Sequence, residues 1–309
     1  MIRRAAVAAL IAFIGLLSPA AGPVSAASPD PMDDPTRVRL SDLRPGIAAA
    51  TRDRGRVYRD GCHVARAVTS PIHCIYGRRD GAKVVVVIGD SIIAQWWAAI
   101  DGAARRGGWR VVWMSKTACP AADVSTQGTT SRYTACDAWR RNVLTKVRGL
   151  ARVDLLVMSG SSHARLLRRS DWSLITDPAA KRAEWQAGYQ RTVDRVAGQV
   201  RRVVILRDTP IFRLLVPKCL VGSAGWTKPC SRLRANALSA LHWEAELAVD
   251  AQYSWVRATD MANWICQPTR CWPVTSNRLL RYRDAHHLTN TYAAALAPAM
   301  YSRLRWLMR

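Results

Sequence analysis

The chain has 309 residues, 49% of them hydrophobic and 22% charged, which suits a folded globular protein and is too apolar for a disordered one. A single standout apolar run and the lack of long glycine or heptad repeats exclude a multi-span membrane protein, collagen and coiled coil. The charge is lopsided, with 46 Lys and Arg against 22 Asp and Glu for a net +24.

The apolar run is at the N-terminus. Arg3 and Arg4 precede an apolar stretch from Ala5 to about Leu17, and a weaker segment ends in Val24-Ser25-Ala26. A basic start, a short apolar centre and small residues at the end form the pattern of a secretory signal peptide, cleaved after Ala26. A retained signal anchor is the other reading, for which the run is short. Residues 1–26 hold two Arg and no acid, so the mature chain carries +22. Residues 27–57 are rich in Asp, Pro and Arg and read as a linker or loosely packed lead-in; 58–309 form one domain.

Within that domain the pattern alternates. Residues 84–88, a continuous β-branched run, read as a strand buried on both faces. Further strands are expected at 110–114, 154–158, 202–206 and 253–257. Helices are expected at 93–106, 137–148, 181–200, 231–250 with Ser231 as its cap, and from about 290 to the end. Strands alternating with helices predict a three-layer α/β sandwich on a mostly parallel five-stranded sheet, with ligands at the carboxyl ends of the strands.

Export shapes how the eight cysteines are read. They fall in local couples, Cys62 with Cys74, Cys119 with Cys136, Cys219 with Cys230 and Cys266 with Cys271. In an oxidising compartment such spacing favours disulfides, although eight cysteines allow 105 connectivities. There is no C-x-x-C and no histidine at finger spacing, which argues against zinc. The basic charge lacks any nucleic-acid-binding motif, and export removes contact with a genome. Coding bias and attraction to an anionic envelope surface are both open readings of it.

Two segments carry the chemistry. The first strand ends in Gly89-Asp90-Ser91 and passes into a helix, setting a hydroxyl at the carboxyl edge of the sheet beside free helix N–H groups. Near the other end, Asp284-Ala285-His286-His287-Leu288-Thr289 puts an Asp three residues ahead of a His, able to hold Nδ1–H and leave Nε2 for the serine proton. Each alone also reads as a helix cap or a surface turn.

These segments, with Cys74-Ile75-Tyr76-Gly77, Gln95-Trp96, Gly108-Trp109-Arg110 and Lys116-Thr117-Ala118-Cys119-Pro120, resemble the SGNH/GDSL hydrolase superfamily. The chain is most similar to the SGNH domain fused to membrane O-acyltransferases of the sugar-acetylating kind, over about 58–309. The resemblance implies Ser91 as nucleophile, His287 as base, with His286 the alternative, and Asp284 as its orienting partner, with neither metal nor organic cofactor. It also implies an oxyanion hole from the Ser91 amide, a glycine after the second strand and an asparagine after the third. Here Ala118 stands near that glycine, and Gly160-Ser161-Ser162-His163 follows the third strand. Ser162 is a candidate donor in the asparagine's place and His163 a substrate-facing residue, or both are ordinary loop residues. Ile92-Ile93 replace the His-Ala that relatives often carry. Trp96 and Trp97 suit either the core or stacking on a sugar face.

The expected function is an exported serine esterase or O-acyltransferase acting on acyl esters, acetyl above all, of cell-envelope glycans or glycolipids. A membrane acyltransferase is the expected partner if the chemistry is transfer. The alternative is a catalytically weakened module that binds wall glycan or lipid.

Overall fold

The computed structural model describes residues 36–309. The expected signal peptide over 1–26 and the start of the lead-in lie outside the described residues. The strands are β1 (His63–Val64), β2 (Cys74–Gly77), β3 (Lys83–Gly89), β4 (Trp109–Lys116), β5 (Leu155–Ser159), β6 (Val203–Leu206), β7 (Arg232–Leu233), β8 (Val256–Thr259) and β9 (Arg270–Cys271).

The main sheet runs β1-β4-β3-β5-β6-β8, with β2 antiparallel on β4. The five expected strands are its parallel body, β3, β4, β5, β6 and β8. The sheet has seven strands instead of five because β1 and β2 share the free edge of β4. β1 has only two residues, and β2 has four of which Cys74 and Ile75 are half-buried, so neither shows as an apolar run, and the Cys62–Cys74 disulfide ties them together.

Alternation along β3 divides the interior into two cores. Val85 and Val87 pack with Ile100, Tyr292, Met300 and Leu304 on one face. Val86 and Ile88 pack with Trp139, Leu144, Tyr189 and Val193 on the other. All four β3 residues are at most 1% exposed, which is why the strand reads as an unbroken apolar run. Burial of a side chain of this size contributes about 1.5–3 kcal/mol.

Several element boundaries differ from expectation. The helix expected over 93–106 is two, Ser91–Ala94 and Trp97–Gly107. They are separated by a tightened step in which Trp96 N–H donates to Ile93 O at 3.0 Å. The helix expected from Ser231 begins at Ala240, where Ser239 Oγ accepts from His242 N–H, and runs to Gln252. Ser231 is not a cap; its hydroxyl donates to Lys228 O at 2.6 Å. This displacement pushes the fifth parallel strand on to β8. The helix Thr134–Arg148 was expected at 137–148, and Pro178–Val196, capped by Asp177, at 181–200. The final helix is two, Asn290–Ala295 and Ala297–Leu304, the second carrying Pro298 in its first turn.

The lead-in is also different. Residues 36–57 are not loosely packed: Val38, Leu43, Ala50 and Val57 are buried in the first core. Arg44 exchanges backbone hydrogen bonds with the 278–280 segment, and Asp53 receives Asn290 N–H on its carbonyl and Thr291 N–H on its carboxylate. The Asp- and Arg-rich composition hides these apolar anchors. All four cysteine couples are joined as sequential disulfides.

Gly89 closes β3 with φ +143°, and a Cβ there would sit 2.4 Å from Ser159 O on β5. Gly89→Ala is expected to cost about 3 kcal/mol or more, from forbidden backbone and overlap combined. Urea denaturation checks this, and a loss under about 1 kcal/mol would contradict the geometry.

Candidate active site

The site is built where β3 ends. Gly89 turns the chain, and Asp90 caps the short helix that follows by accepting Ile92 N–H at 2.9 Å. Its second oxygen accepts Ser161 N–H at 2.8 Å, joining the turn to the loop after β5. Burial pushes the Asp90 carboxyl up to about 7 against the pull of those two N–H groups. Ser91 is then the first helical residue, at the carboxyl edge of the sheet.

The second half is a tight loop after the sheet. Arg283 N–H donates to His287 O and Thr289 N–H to Arg281 O, both at 2.9 Å, closing a hairpin with Asp284 near its tip. Asp284 Oδ1 accepts the N–H groups of His286 and His287 at 2.9 and 2.7 Å. Its Oδ2 lies 2.8 Å from His287 Nδ1. His287 Nε2 lies 2.8 Å from Ser91 Oγ. The two residues, 196 positions apart, therefore meet, with Asp284 behind them. His286, the alternative base, is held less closely: its side chain is 41% exposed, and its Nδ1 lies 3.9 Å from Asp284 Oδ1.

Electrostatics suit a fixed tautomer. Burial alone would raise the Asp284 carboxyl, but the hydrogen bond and charge of His287, with the His286 and His287 N–H groups, hold it well below the usual carboxylate range. An ionised Asp284 accepts a hydrogen bond from Nδ1–H, which leaves Nε2 as acceptor for the serine hydroxyl. Nucleophile, base and orienting group in line are the parts needed for acyl transfer.

A positioning residue that sequence reasoning left without a role holds the halves together. Gln95, 1% exposed, accepts Leu288 N–H on Oε1 at 2.6 Å. Its Nε2 donates to Thr209 Oγ1 at 3.0 Å, and that hydroxyl donates to His286 O at 3.1 Å. Gln95 is one turn beyond Ser91, so the helix of the nucleophile grips the loop of the base directly. A buried Gln in the first turns after a strand-ending Ser was the available signal. Behind the loop, Arg283 has a nearly buried side chain and donates to Tyr58 OH at 3.2 Å. His63 sits between Ser115 and Thr117, and burial, with Arg283 next, lowers it to about 4, so it is neutral.

The oxyanion and substrate candidates divide. Ala118 has φ +52°, the left-handed conformation that glycine favours, in a turn closed by Cys119 N–H to Lys116 O. The backbone keeps the shape expected of a glycine there despite the Cβ. Ser162 is not a free donor: its amide and hydroxyl both donate to Asp208 Oδ2, at 2.8 and 2.7 Å. Burial raises the Asp208 carboxyl, which the two donors then lower in part. Trp96 is fully buried in the core, and Trp97 is 8% exposed, so neither presents a face to a sugar. His163 is exposed on the loop after β5. Among the described residues, Asp284, His286 and His287 bring donor atoms within 4.8 Å of one another, as a metal site does. Both ring nitrogens of His287 are already engaged, by Asp284 and Ser91, which fits a triad better than a metal.

A family model described as SGNH domain (fused to AT3 domains) matches residues 61–302. Among solved structures, the chain is similar to the periplasmic domain of a lipopolysaccharide acetyltransferase of Salmonella ser. Paratyphi A. The identity is 13% and the TM-score 0.53, over 86% of this chain and 94% of that one. It is also similar to a carbohydrate acetylesterase family member from Sinorhizobium meliloti, at 13% identity and a TM-score of 0.44, over 73% of this chain and 99% of that one. At such identity the first likeness shows a shared fold. No curated protein matches the chain.

Two outcomes follow from this geometry. A carboxylate held below its ordinary pKa contributes stability that is fully present above about pH 4 and is lost as pH falls further. The stability gap between the parent chain and Asp284→Asn is therefore expected to be constant near neutrality and to narrow below about pH 4. Urea titrations across that range check it, and a gap that widens in acid would refute the assignment. Gln95→Ala is expected to lower ester hydrolysis about 10- to 100-fold through kcat, with KM little changed, because it misplaces the base without touching substrate. A change confined to KM would deny it the positioning role.

Proposed function

The chain belongs to the family of SGNH domains of the kind fused to AT3 domains, and from that premise we propose that it is an exported serine esterase or O-acyltransferase acting on acyl esters, acetyl above all, of cell-envelope glycans or glycolipids. The observation that carries the reading is the line of contacts from Ser91 Oγ through His287 to Asp284, with 2.8 Å at each step.

In this mechanism His287 Nε2 removes the Ser91 proton as Oγ attacks the acyl carbonyl. The tetrahedral oxyanion forms against the backbone amides of Ser91 and Ala118. Collapse expels the sugar oxygen, which takes the proton back from His287, and leaves an acyl-serine. His287 then deprotonates the second nucleophile, water in an esterase or a sugar hydroxyl in a transferase. Transfer calls for an acyl donor, and a membrane acyltransferase partner fits that role. The four disulfides support export. Among the described residues no helix is long and apolar enough to cross a membrane.

One observation favours a second reading. With Ser162 committed to Asp208, the hole lacks the side-chain donor expected after the third strand. Loss of one oxyanion donor typically costs about 10²–10³ in rate, which is the direction of a weakened module that binds wall glycan or lipid.

Ser91→Ala and His287→Ala are each expected to lower p-nitrophenyl acetate hydrolysis at least about 10³-fold, and His286→Ala far less. If both variants match the parent, the site is wrong. A fluorophosphonate probe is expected to label the parent chain stoichiometrically and Ser91→Ala not at all. A well-folded parent that resists labelling would favour the binding module.

A further inference from the structure

Beside the catalytic loop lies a cavity of about 440 Å³ whose lining includes Phe212, Arg213, Ser231, Arg232, Asn236 and Arg270, and no acidic residue. Among the described residues, no carboxylate pairs with any of its three guanidinium groups. The nearby Arg207 and Arg234, by contrast, both reach Asp260, at 2.7 and 3.9 Å. Burial, and then the charge of Arg213, push the Arg232 guanidinium below its ordinary value, as like charges held together do.

The walls are built to keep this arrangement. β7 pairs with β9, setting Leu233 opposite Arg270 and Arg232 opposite Cys271. Disulfides Cys219–Cys230 and Cys266–Cys271 pin both sides. Arg270 Nη1 donates to Ser231 Oγ at 2.8 Å, fixing one edge of its fork. One wall of the cavity is tied to the catalytic loop. Phe212 N–H donates to Ala285 O at 2.6 Å, so this wall and the catalytic loop share a hydrogen bond.

We infer that this cavity is a subsite for an acidic sugar, whose carboxylate or phosphate group is held by Arg213, Arg232 and Arg270 while a neighbouring sugar presents its ester to Ser91. Planar guanidinium forks match both anions, and an anion between them offsets the repulsion that the fold otherwise bears. The inference rests on the glycan-ester reading above and narrows its substrate to acidic glycans. Concave walls with Asn236 as a further polar group suit a sugar better than a flat lipid surface.

Calorimetric titration of the full chain with trigalacturonate, glucose 1-phosphate and neutral xylotriose at physiological salt tests it. One or both acidic probes are expected to bind at least about tenfold tighter than xylotriose, and which one does identifies the anion. Arg213→Gln with Arg270→Gln is expected to lose at least about tenfold of that affinity. A charge-matched control, Arg148→Gln with Arg168→Gln, is expected to keep it. Thermal melts establish that the variants are folded, and the single exposed change Arg213→Gln replaces the pair if they are not. Equal affinity for acidic and neutral probes, equal loss in cavity and control variants, or binding only to phosphatidylglycerol vesicles would each overturn the inference. No ester is cleaved in this measurement, so its failure leaves the triad standing, and failure of the Ser91 assays leaves the binding result standing.

Discussion

A hydroxyl and an imidazole 196 residues apart stay 2.8 Å from each other only if the two turns bearing them are held to within a fraction of an ångström. Neither side chain can enforce this. Ser91 sits at the start of a one-turn helix, and His287 near the tip of a hairpin, both weak units by themselves. The constraint is met by polar groups buried between them. Asp90 binds the serine turn to the loop after β5, and Gln95 clamps the hairpin to the serine's helix. Thr209 completes the clamp from the end of β6. Each such bond contributes only about 0.5–1.5 kcal/mol net, yet leaving its partner unmet inside the protein costs about 1–3. The penalty for breaking the arrangement is thus larger than the gain from making it, which favours one geometry over near neighbours.

The sheet does the remaining positioning. Its parallel strands end on one edge, so the turns after β3, β4, β5 and β6 all open toward the same place. That explains how Asp90, Ser161, Ser162 and Asp208, from three separate turns, meet. It also shows where the chain departs from its family's pattern. The turn after β4 takes a left-handed shape with alanine in the glycine's place, whereas the turn after β5 directs its serine to a buried carboxylate.

The parts legible in sequence are those with a strong local signal. A run of β-branched residues buried on both faces could be little else than a central strand, and a strand-ending Gly-Asp-Ser with a distant Asp-x-x-His pointed to the triad. Sequential cysteine couples also paired as neighbours. What escaped depended on tertiary contacts. Strand β1 has only two residues, and β2, half-buried at Cys74 and Ile75, lacks the apolar run that marks the central strands. Ser231 has the chemistry of a cap, but the β7–β9 pairing draws Arg232 and Leu233 into a strand, and the helix starts only after Ser239. Trp96 looked available for sugar stacking because a helix next to an active site has two faces, and only packing shows that this one faces the core. Ser162 had the right place and chemistry for a donor, but nothing local announced Asp208 as its acceptor.

The segment before the family-matched region carries a practical lesson. The match begins at residue 61, yet Asp53 holds the first two amides of the helix that follows the base, and Arg44 strands alongside the hairpin's approach. Anyone trimming the gene to the homology boundary would discard the strap that braces the histidine from outside. A fragment cut there would keep Ser91, Asp284 and His287 and lose part of what keeps them aligned.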